Sequence, residues 1–217
     1  MLVEVWSDVV CPWCYIGKRR FDRARAELDG EIEFEVEMRA FQLDPRAPPG
    51  TSMPVADVYA RKFGGPEQAD RIIANVTAIA ADEGLEFRLD RAQRANTMLA
   101  HRAIQLAVVH GGHSLQAAVD ERLMVAYFTD GLDIGDPDTV ARCAADAGMD
   151  HDAVRAALDR DDGTNEVDRS IARAAELGVT AVPTYVIDGS WAIPGAQESE
   201  TFVQVLRRFA ARLDPAR

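Results

Sequence analysis

Three cysteines, Cys11, Cys14 and Cys143, are all that this 217-residue sequence contains. That is too few for a disulfide-rich secreted scaffold, whose small core depends on several bridges. Basic side chains are also scarce. Against 36 acidic residues stand 24 lysines and arginines, for a formal net charge of −12. A nucleic-acid footprint should be basic, so no nucleic-acid partner is expected. No run of about 18 apolar residues occurs, so no membrane-crossing helix is expected. Residues 1–10 have neither a basic stretch nor a long apolar core, and do not read as a secretion signal. Internal repeats and low-complexity tracts are missing as well. Together these absences point to the cytoplasm. There, two close cysteines are more often redox-active or metal-binding than a static staple.

What is present is an ordinary globular balance, 47% hydrophobic and 28% charged, in a length that allows one large domain or two modest ones. Residues 2–6 are β-formers in weak alternation and read as a strand. Cys14, Gly17, Phe21, Ala24 and Leu28 recur at steps of three and four. That is one face of a helix to about residue 29, with Gly30 as its stop. Residues 31–38 alternate strictly, with Ile32, Phe34, Val36 and Met38 on one side and four glutamates on the other. The pattern predicts a half-buried strand with a solvated face. Strand, helix and strand make a β-α-β unit with a right-handed crossover.

From Asp44 the prolines mark an irregular link, and residues 55–177 are mainly helical in pattern. Helices are expected from Pro66 onward, then over about 92–110, 114–128, 138–147, 153–158 and 165–177. His110-Gly111-Gly112-His113 reads as a loop between two of them. Residues 184–187 and 191–193 flank Asp188-Gly189-Ser190, a strong hairpin signal because both central residues must accept positive φ. Gly195-Ala196-Gln197 opens a closing amphipathic helix with Phe202, Val203, Leu206 and Phe209 on its apolar face. The fold class is therefore α/β, with β-α-β and β-β-α at the termini and a helical block between them.

Cys11-Pro12-Trp13-Cys14 falls where the first strand becomes the first helix. Pro12 suits the first helical turn, where its missing N–H would be unsatisfied anyway. Cys11 then sits at the helix N-terminus, where free N–H groups and the dipole favour thiolate over thiol. Residues i and i+3 share a helix face and can be bridged. Cys11 is the exposed attacking thiol on this geometry, and Cys14, one turn in, resolves the mixed disulfide. A tetrahedral zinc site needs four ligands. Cys143 and the scattered His101, His110, His113 and His151 supply no second pair, so no metal is expected. Cys143 lies in an apolar helical run and reads as core. Val182-Pro183-Thr184 puts a proline at the start of a strand, where its missing donor is tolerated. An X-Pro bond is also where a cis peptide costs least.

Strand, helix and strand with C-x-x-C at the first helix, then V-P-T before a hairpin and a final helix, resembles the thioredoxin fold. The large all-helical insertion narrows the resemblance to the DsbA-like oxidoreductases. Residues 6–19, 41–45, 96–102, 126–128 and 178–189 resemble its FrnE-like cytosolic subgroup. The resemblance implies a thioredoxin-like core of residues 1–43 and 178–217, with 44–177 as a helical insertion over the cleft. It implies thiol–disulfide exchange with protein or small-thiol substrates and no cofactor beyond the dithiol. By position, Cys11 is the nucleophile, Cys14 the resolving thiol, and Val182-Pro183 the substrate-facing loop. Pro12 and Trp13 are candidate substrate contacts.

Related 2-hydroxychromene-2-carboxylate isomerases and kappa-class glutathione transferases hold glutathione near the segment matching Gly195-Ala196-Gln197. Glutathione is thus a candidate co-substrate. Those relatives typically carry serine at the position of Cys11, so the cysteine pair favours dithiol exchange. A glutathione-dependent isomerase or transferase of a small aromatic substrate is the alternative. A binding module that keeps the cleft without the chemistry is another. A monomer and a homodimer both fit the sequence.

Two departures from the family carry consequences. Many thioredoxin-fold enzymes have a buried acid six residues before the nucleophile; Val5 stands there. Glu4 and Asp8 flank it, and Asp8 is the candidate proton acceptor, with a turn or capping role as the alternative. Asn96 and His101 could line the pocket or be satisfied within a helix. Secreted DsbA enzymes usually have histidine beside the motif proline, where this chain has Trp13. Without that imidazole the thiolate loses one donor, so the couple should be less oxidising than DsbA at about −120 mV. Equilibration of the dithiol against glutathione buffers measures this, and a potential matching DsbA would refute it.

Overall fold

The computed structural model describes residues 1–50 and 53–213. Residues 51–52 of the expected helical block and 214–217 of the expected core lie outside them. Among the described residues the strands form one four-stranded sheet, in the order β2-β1-β3-β4. The central strand β1 (Leu2–Ser7) runs parallel to β2 (Glu35–Ala40) and antiparallel to β3 (Thr184–Ile187). β3 pairs antiparallel with β4 (Trp191–Pro194). Helix α1 (Pro12–Glu27) connects β1 to β2, and α8 (Ser199–Leu213) follows β4. The β-α-β and β-β-α units expected from the termini thus share one sheet.

β1 is buried from Val3 to Ser7, as a strand covered on both faces must be. Trp6 has no exposed surface, and its indole Nε1 donates to the Ser170 carbonyl at 3.2 Å. The β3–β4 turn is the one Asp188-Gly189 signals, with φ of 45° and 67°. Asp188 also accepts the Leu2 N–H at 2.8 Å, tying the turn to the start of β1. Phe21 of α1, Tyr185 of β3 and Phe202 of α8 form a mutual aromatic cluster, with ring centroids 4.8–5.3 Å apart. Such pairs are worth about 0.5–1.5 kcal/mol each beyond their burial, and they fix α1 against the sheet.

Several boundaries differ from the sequence expectation. The second strand begins at Glu35 and ends at Ala40, not over residues 31–38. Leu2, the first residue of β1, pairs with Glu35, so the preceding residues have no strand beside them. Three of the four glutamates stay exposed, while Glu37 is half-buried against Arg39 at 2.9 Å. α1 ends at Glu27, and Gly30 has its positive φ beyond the helix. α8 starts at Ser199, later than Gly195-Ala196-Gln197.

Between β2 and β3 run α2 (Val55–Phe63), α3 (Pro66–Asp82), α4 (Met98–Val125), a π-helical turn (Ala126–Asp130), α5 (Pro137–Asp146), α6 (His151–Asp159) and α7 (Thr164–Glu176). α4 starts at Met98 and not at residue 92. Residues 93–94 instead pair with 53–54: Gln93 bridges Pro54, and the Arg94 N–H donates to Met53 O at 2.7 Å. His110-Gly111-Gly112-His113 is a break inside α4 and not a free loop. Gly112 has φ 67° and ψ −164°, which interrupts the helix between its two halves. Gln105 from the first half and Gln116 from the second both donate to the Met38 carbonyl, at 3.1 and 3.0 Å. Both halves are thereby tied to β2. No helix among the described residues is long and apolar enough to cross a membrane.

Glu4 is 1% exposed on the central strand. It accepts from Arg39 of β2 at 2.7 Å and from Arg173 of α7 at 3.0 Å. Burial alone would raise its pKa, but the two guanidiniums outweigh it and hold the carboxyl below the usual carboxylate range. Removing one partner from a buried pair costs about 3–5 kcal/mol; here both arginines reach solvent, which favours the lower end. Glu4→Gln should therefore lower unfolding stability by about 3 kcal/mol at pH 7. A depressed folded-state pKa gives stability that is present above the unfolded value and is lost as pH falls through the folded one. The deficit of the variant should accordingly shrink in urea titrations below about pH 4.5.

Candidate active site

Cys11 is the N-cap residue of α1, with extended backbone at φ −87° and ψ 113°, and Pro12 occupies the first helical turn. The Cys11 carbonyl accepts from the N–H of Cys14 and of Tyr15, closing the turn that stacks one cysteine over the other. Cys11 and Cys14 are 4% and 2% exposed. Trp13 between them is 40% exposed, so the motif presents an indole to solvent. The expected outward thiol thus sits in a recess, with an aromatic rim.

The Val182-Pro183 peptide is cis, and the Cys11 Sγ lies 3.8 Å from the Val182 carbonyl. Pro183 is buried and Val182 half-buried. α1 approaches this loop closely because Gly17 has no side chain. A Cβ there would lie 2.8 Å from Tyr185 Oη, 3.1 Å from Pro183 Cγ and 3.2 Å from Ala196 Cβ. The structure therefore brings together Cys11, Cys14, Val182 and Pro183 from opposite ends of the chain.

Cys14 faces inward. Its thiol pKa is raised well above the ordinary value, first by burial and then by the neighbouring Cys11. The Ser7 hydroxyl and the Asp8 backbone N–H pull it partly back. Asp8 is not a helix cap, since α1 has no side-chain cap hydrogen bond. Its carbonyl accepts from Cys11 N at 2.9 Å, as a turn residue would. Its carboxylate instead points inward, fully buried, and Oδ2 accepts the Leu43 N–H at 2.8 Å. His101 is also buried, with Nε2 3.3 Å from Asp8 Oδ1 and 3.0 Å from the Phe41 carbonyl. Asn96 is not free to line a pocket: its side chain donates to Ala47 O and accepts from Met98 N. Val5, at the position of the missing acid, is buried in the core.

Some neighbours escape sequence reasoning. Tyr59 of α2 has its pKa pushed up to about 12, by burial first and then by the charge of Cys11. Asp120 of α4 is 2% exposed with one oxygen unpartnered among the described residues. Burial lifts its pKa to about 6 against the opposing pull of Lys18. Next to it, Glu121 accepts from Tyr15 Oη at 2.6 Å and from Arg19. Burial works against its ionisation, yet Arg19, Lys18 and Tyr15 bring its pKa down to about 2. These contacts hold α1 to the second half of α4. No local spacing in the sequence signals them, because each joins residues far apart. Cys143 is 1% exposed in the core of α5, remote from the pair in sequence and buried as expected.

The family described as DSBA-like thioredoxin domain matches residues 2–207. The structure of a probable DsbA oxidoreductase from Streptomyces coelicolor superposes with a TM-score of 0.88 at 36% identity, over 96% of this chain and 89% of that one. The cytosolic disulfide reductase DsbM from Pseudomonas aeruginosa, in a structure with GSH, reaches a TM-score of 0.66 at 16% identity, over 97% and 99% of the two chains. At that identity the likeness is one of fold. An uncharacterized protein of Bacillus subtilis, YwbO, is 29% identical over 208 residues, 94% of each chain.

Gly17 offers a direct test of the close approach. Overpacking of this kind costs about 1–3 kcal/mol. Gly17→Ala should lose about that much stability in urea unfolding, because both Tyr185 and the Pro183 loop must give way. A variant as stable as the parent would show that the approach is not tight.

Proposed function

Because the chain belongs to the DSBA-like thioredoxin domain family of oxidoreductases, we propose that it exchanges disulfides with protein or small-thiol substrates through Cys11 and Cys14. The observation that carries this is the stacking of the two thiols in the first turn of α1, with Cys11 3.8 Å from the Val182 carbonyl.

Cys11 is the nucleophile. Its thiolate attacks one sulfur of a substrate disulfide, forming a Cys11–substrate mixed disulfide and expelling the other substrate sulfur as thiolate. Cys14 then loses its proton to Asp8, and its thiolate attacks the Cys11 sulfur. The Cys11–Cys14 bond forms, the Cys11–substrate bond breaks, and the second substrate thiolate leaves and is protonated. The dithiol has lost two electrons and the substrate disulfide has gained them; the reverse sequence oxidises a substrate dithiol. Buried Cys14 cannot ionise unaided, which is why an internal acceptor is needed.

Substrate lies as extended chain along Val182-Pro183, with Pro12 and the exposed Trp13 as contacts. The helices of residues 44–177 cover the cleft. The dithiol is the whole redox equipment, no bound cofactor is required, and glutathione serves as a co-substrate. A reducing compartment such as the cytoplasm would return the pair to its dithiol form.

Turnover of insulin or glutathione disulfide tests the proposal. Cys11→Ser should abolish exchange. Cys14→Ser should accumulate the Cys11–glutathione mixed disulfide, visible by intact mass, and lose turnover by about 100-fold or more. Full turnover in Cys14→Ser would instead support a glutathione-dependent isomerase or transferase.

A further inference from the structure

The side chain of Asp8 is wholly buried, and its two oxygens have different neighbours. Oδ2 accepts the Leu43 N–H at 2.8 Å. Oδ1 has only His101 beside it, with Nε2 at 3.3 Å, and otherwise no hydrogen-bond partner among the described residues. The carboxylate of Glu4, on β1 itself, is taken up by Arg39 and Arg173. Asp8 is therefore the buried acid of the β1–α1 loop with an oxygen to spare, and its own backbone N–H faces the Cys14 sulfur.

His101 is 3% exposed on α4. Its Nε2 lies 3.0 Å from the Phe41 carbonyl. A carbonyl only accepts, so that contact places a proton on Nε2. Nε2 also lies 3.3 Å from Asp8 Oδ1, in contact but without a hydrogen bond between them. One ring edge thus brings together the loop before α1, the loop after β2 and the first half of α4. Other titratable groups around this node include Cys11, whose N–H donates to the Asp8 carbonyl; Cys14; Tyr127, kept neutral by burial and by Tyr59 and Asp8; and Asp120 on the same helix as His101.

We infer that His101 is a positioning residue, which holds the buried Asp8 carboxylate from the helical segment so that a proton acceptor stands ready when Cys14 resolves the mixed disulfide. The inference rests on the exchange chemistry proposed above. The step it serves is the transfer of the Cys14 proton to Asp8, attack of the Cys14 thiolate on Cys11, and departure of the substrate thiolate with the electrons of the broken bond. Holding an acceptor in place ahead of the reaction is where orientation contributes most. Attack by Cys11 on the substrate does not use Asp8 and should be indifferent to His101.

Stopped-flow reaction of the full-length reduced protein with 5,5′-dithiobis(2-nitrobenzoate) separates the two steps. The first thionitrobenzoate is released when Cys11 attacks, the second when Cys14 resolves. Four proteins are compared with wild type: Asp8→Asn, His101→Asn, His101→Gln and the Asp8→Asn/His101→Asn double variant. Asparagine at 101 places its amide near Nδ1 of the histidine and falls short of Asp8. Glutamine reaches the Nε2 position. Both are polar and suit the buried site, and circular dichroism checks their folding. First release should stay within about 2-fold throughout. Second release should slow by about 100-fold, the usual scale of a lost general base, in Asp8→Asn and His101→Asn. His101→Gln should recover to within about 5-fold of wild type, and the double variant should be no slower than Asp8→Asn. An unchanged second release in His101→Asn, a glutamine variant as slow as the asparagine one, or effects that multiply in the double variant would each overturn the inference. A wild-type protein that releases no second equivalent would overturn the exchange proposal itself, and this inference with it.

Discussion

A thiol buried beneath the first turn of a helix cannot shed its proton at little cost, and the surroundings of Cys14 answer to that constraint. Burial and the adjacent Cys11 both oppose the thiolate. In compensation, the end of the central strand and the loop after it bring the Ser7 hydroxyl and the Asp8 backbone N–H to that thiol. The strand can do so only because β2 and β3 flank it on both sides and hold its register. The acid on the strand itself, Glu4, is neutralised by arginines from β2 and α7. An uncompensated carboxylate on β1 would have been a large cost in the interior.

The helical segment is bound into this arrangement at two levels. The first half of α4 reaches the motif loop through His101, and the second half reaches α1 through Glu121, with Tyr15 and Arg19 as partners. Gly112 allows one helix to serve both, because its backbone conformation at φ 67° is one that a residue with a Cβ adopts reluctantly. Gln105 and Gln116 then tie both halves to one carbonyl of β2. The segment between β2 and β3 is thus part of the same interior as the sheet, and one continuous set of buried apolar side chains runs through both.

What was legible in the sequence was local. The C-x-x-C turn depends on positions three apart, the hairpin on two adjacent residues, and α1 on a period of three and four. The sheet and the motif could be read for that reason. The start of β2 could not, since it depends on where β1 begins. Nor could the start of α4, which depends on residues 93–94 pairing with 53–54 in preference to winding into helix. Asp8 is legible as an acid near Val5, but its neighbour His101 lies 93 residues away and leaves no spacing to read. Family likeness points Asn96 toward the pocket, whereas its amide holds the entry to α4. Tyr59 and Asp120 had no local signal at all.

The cis loop and the motif it meets are separated by 171 residues of chain. A ribosome adding roughly 5–20 residues per second would therefore release Cys11 some 10–30 s before Val182 exists to cover it. During that interval the first helical turn can already form, while the strand that closes over it has not been made. The nascent chain would carry both cysteines without the loop that meets them, and with their side chains open to solvent. The long helical segment thus also sets the interval between synthesis of the two cysteines and synthesis of the loop that buries them.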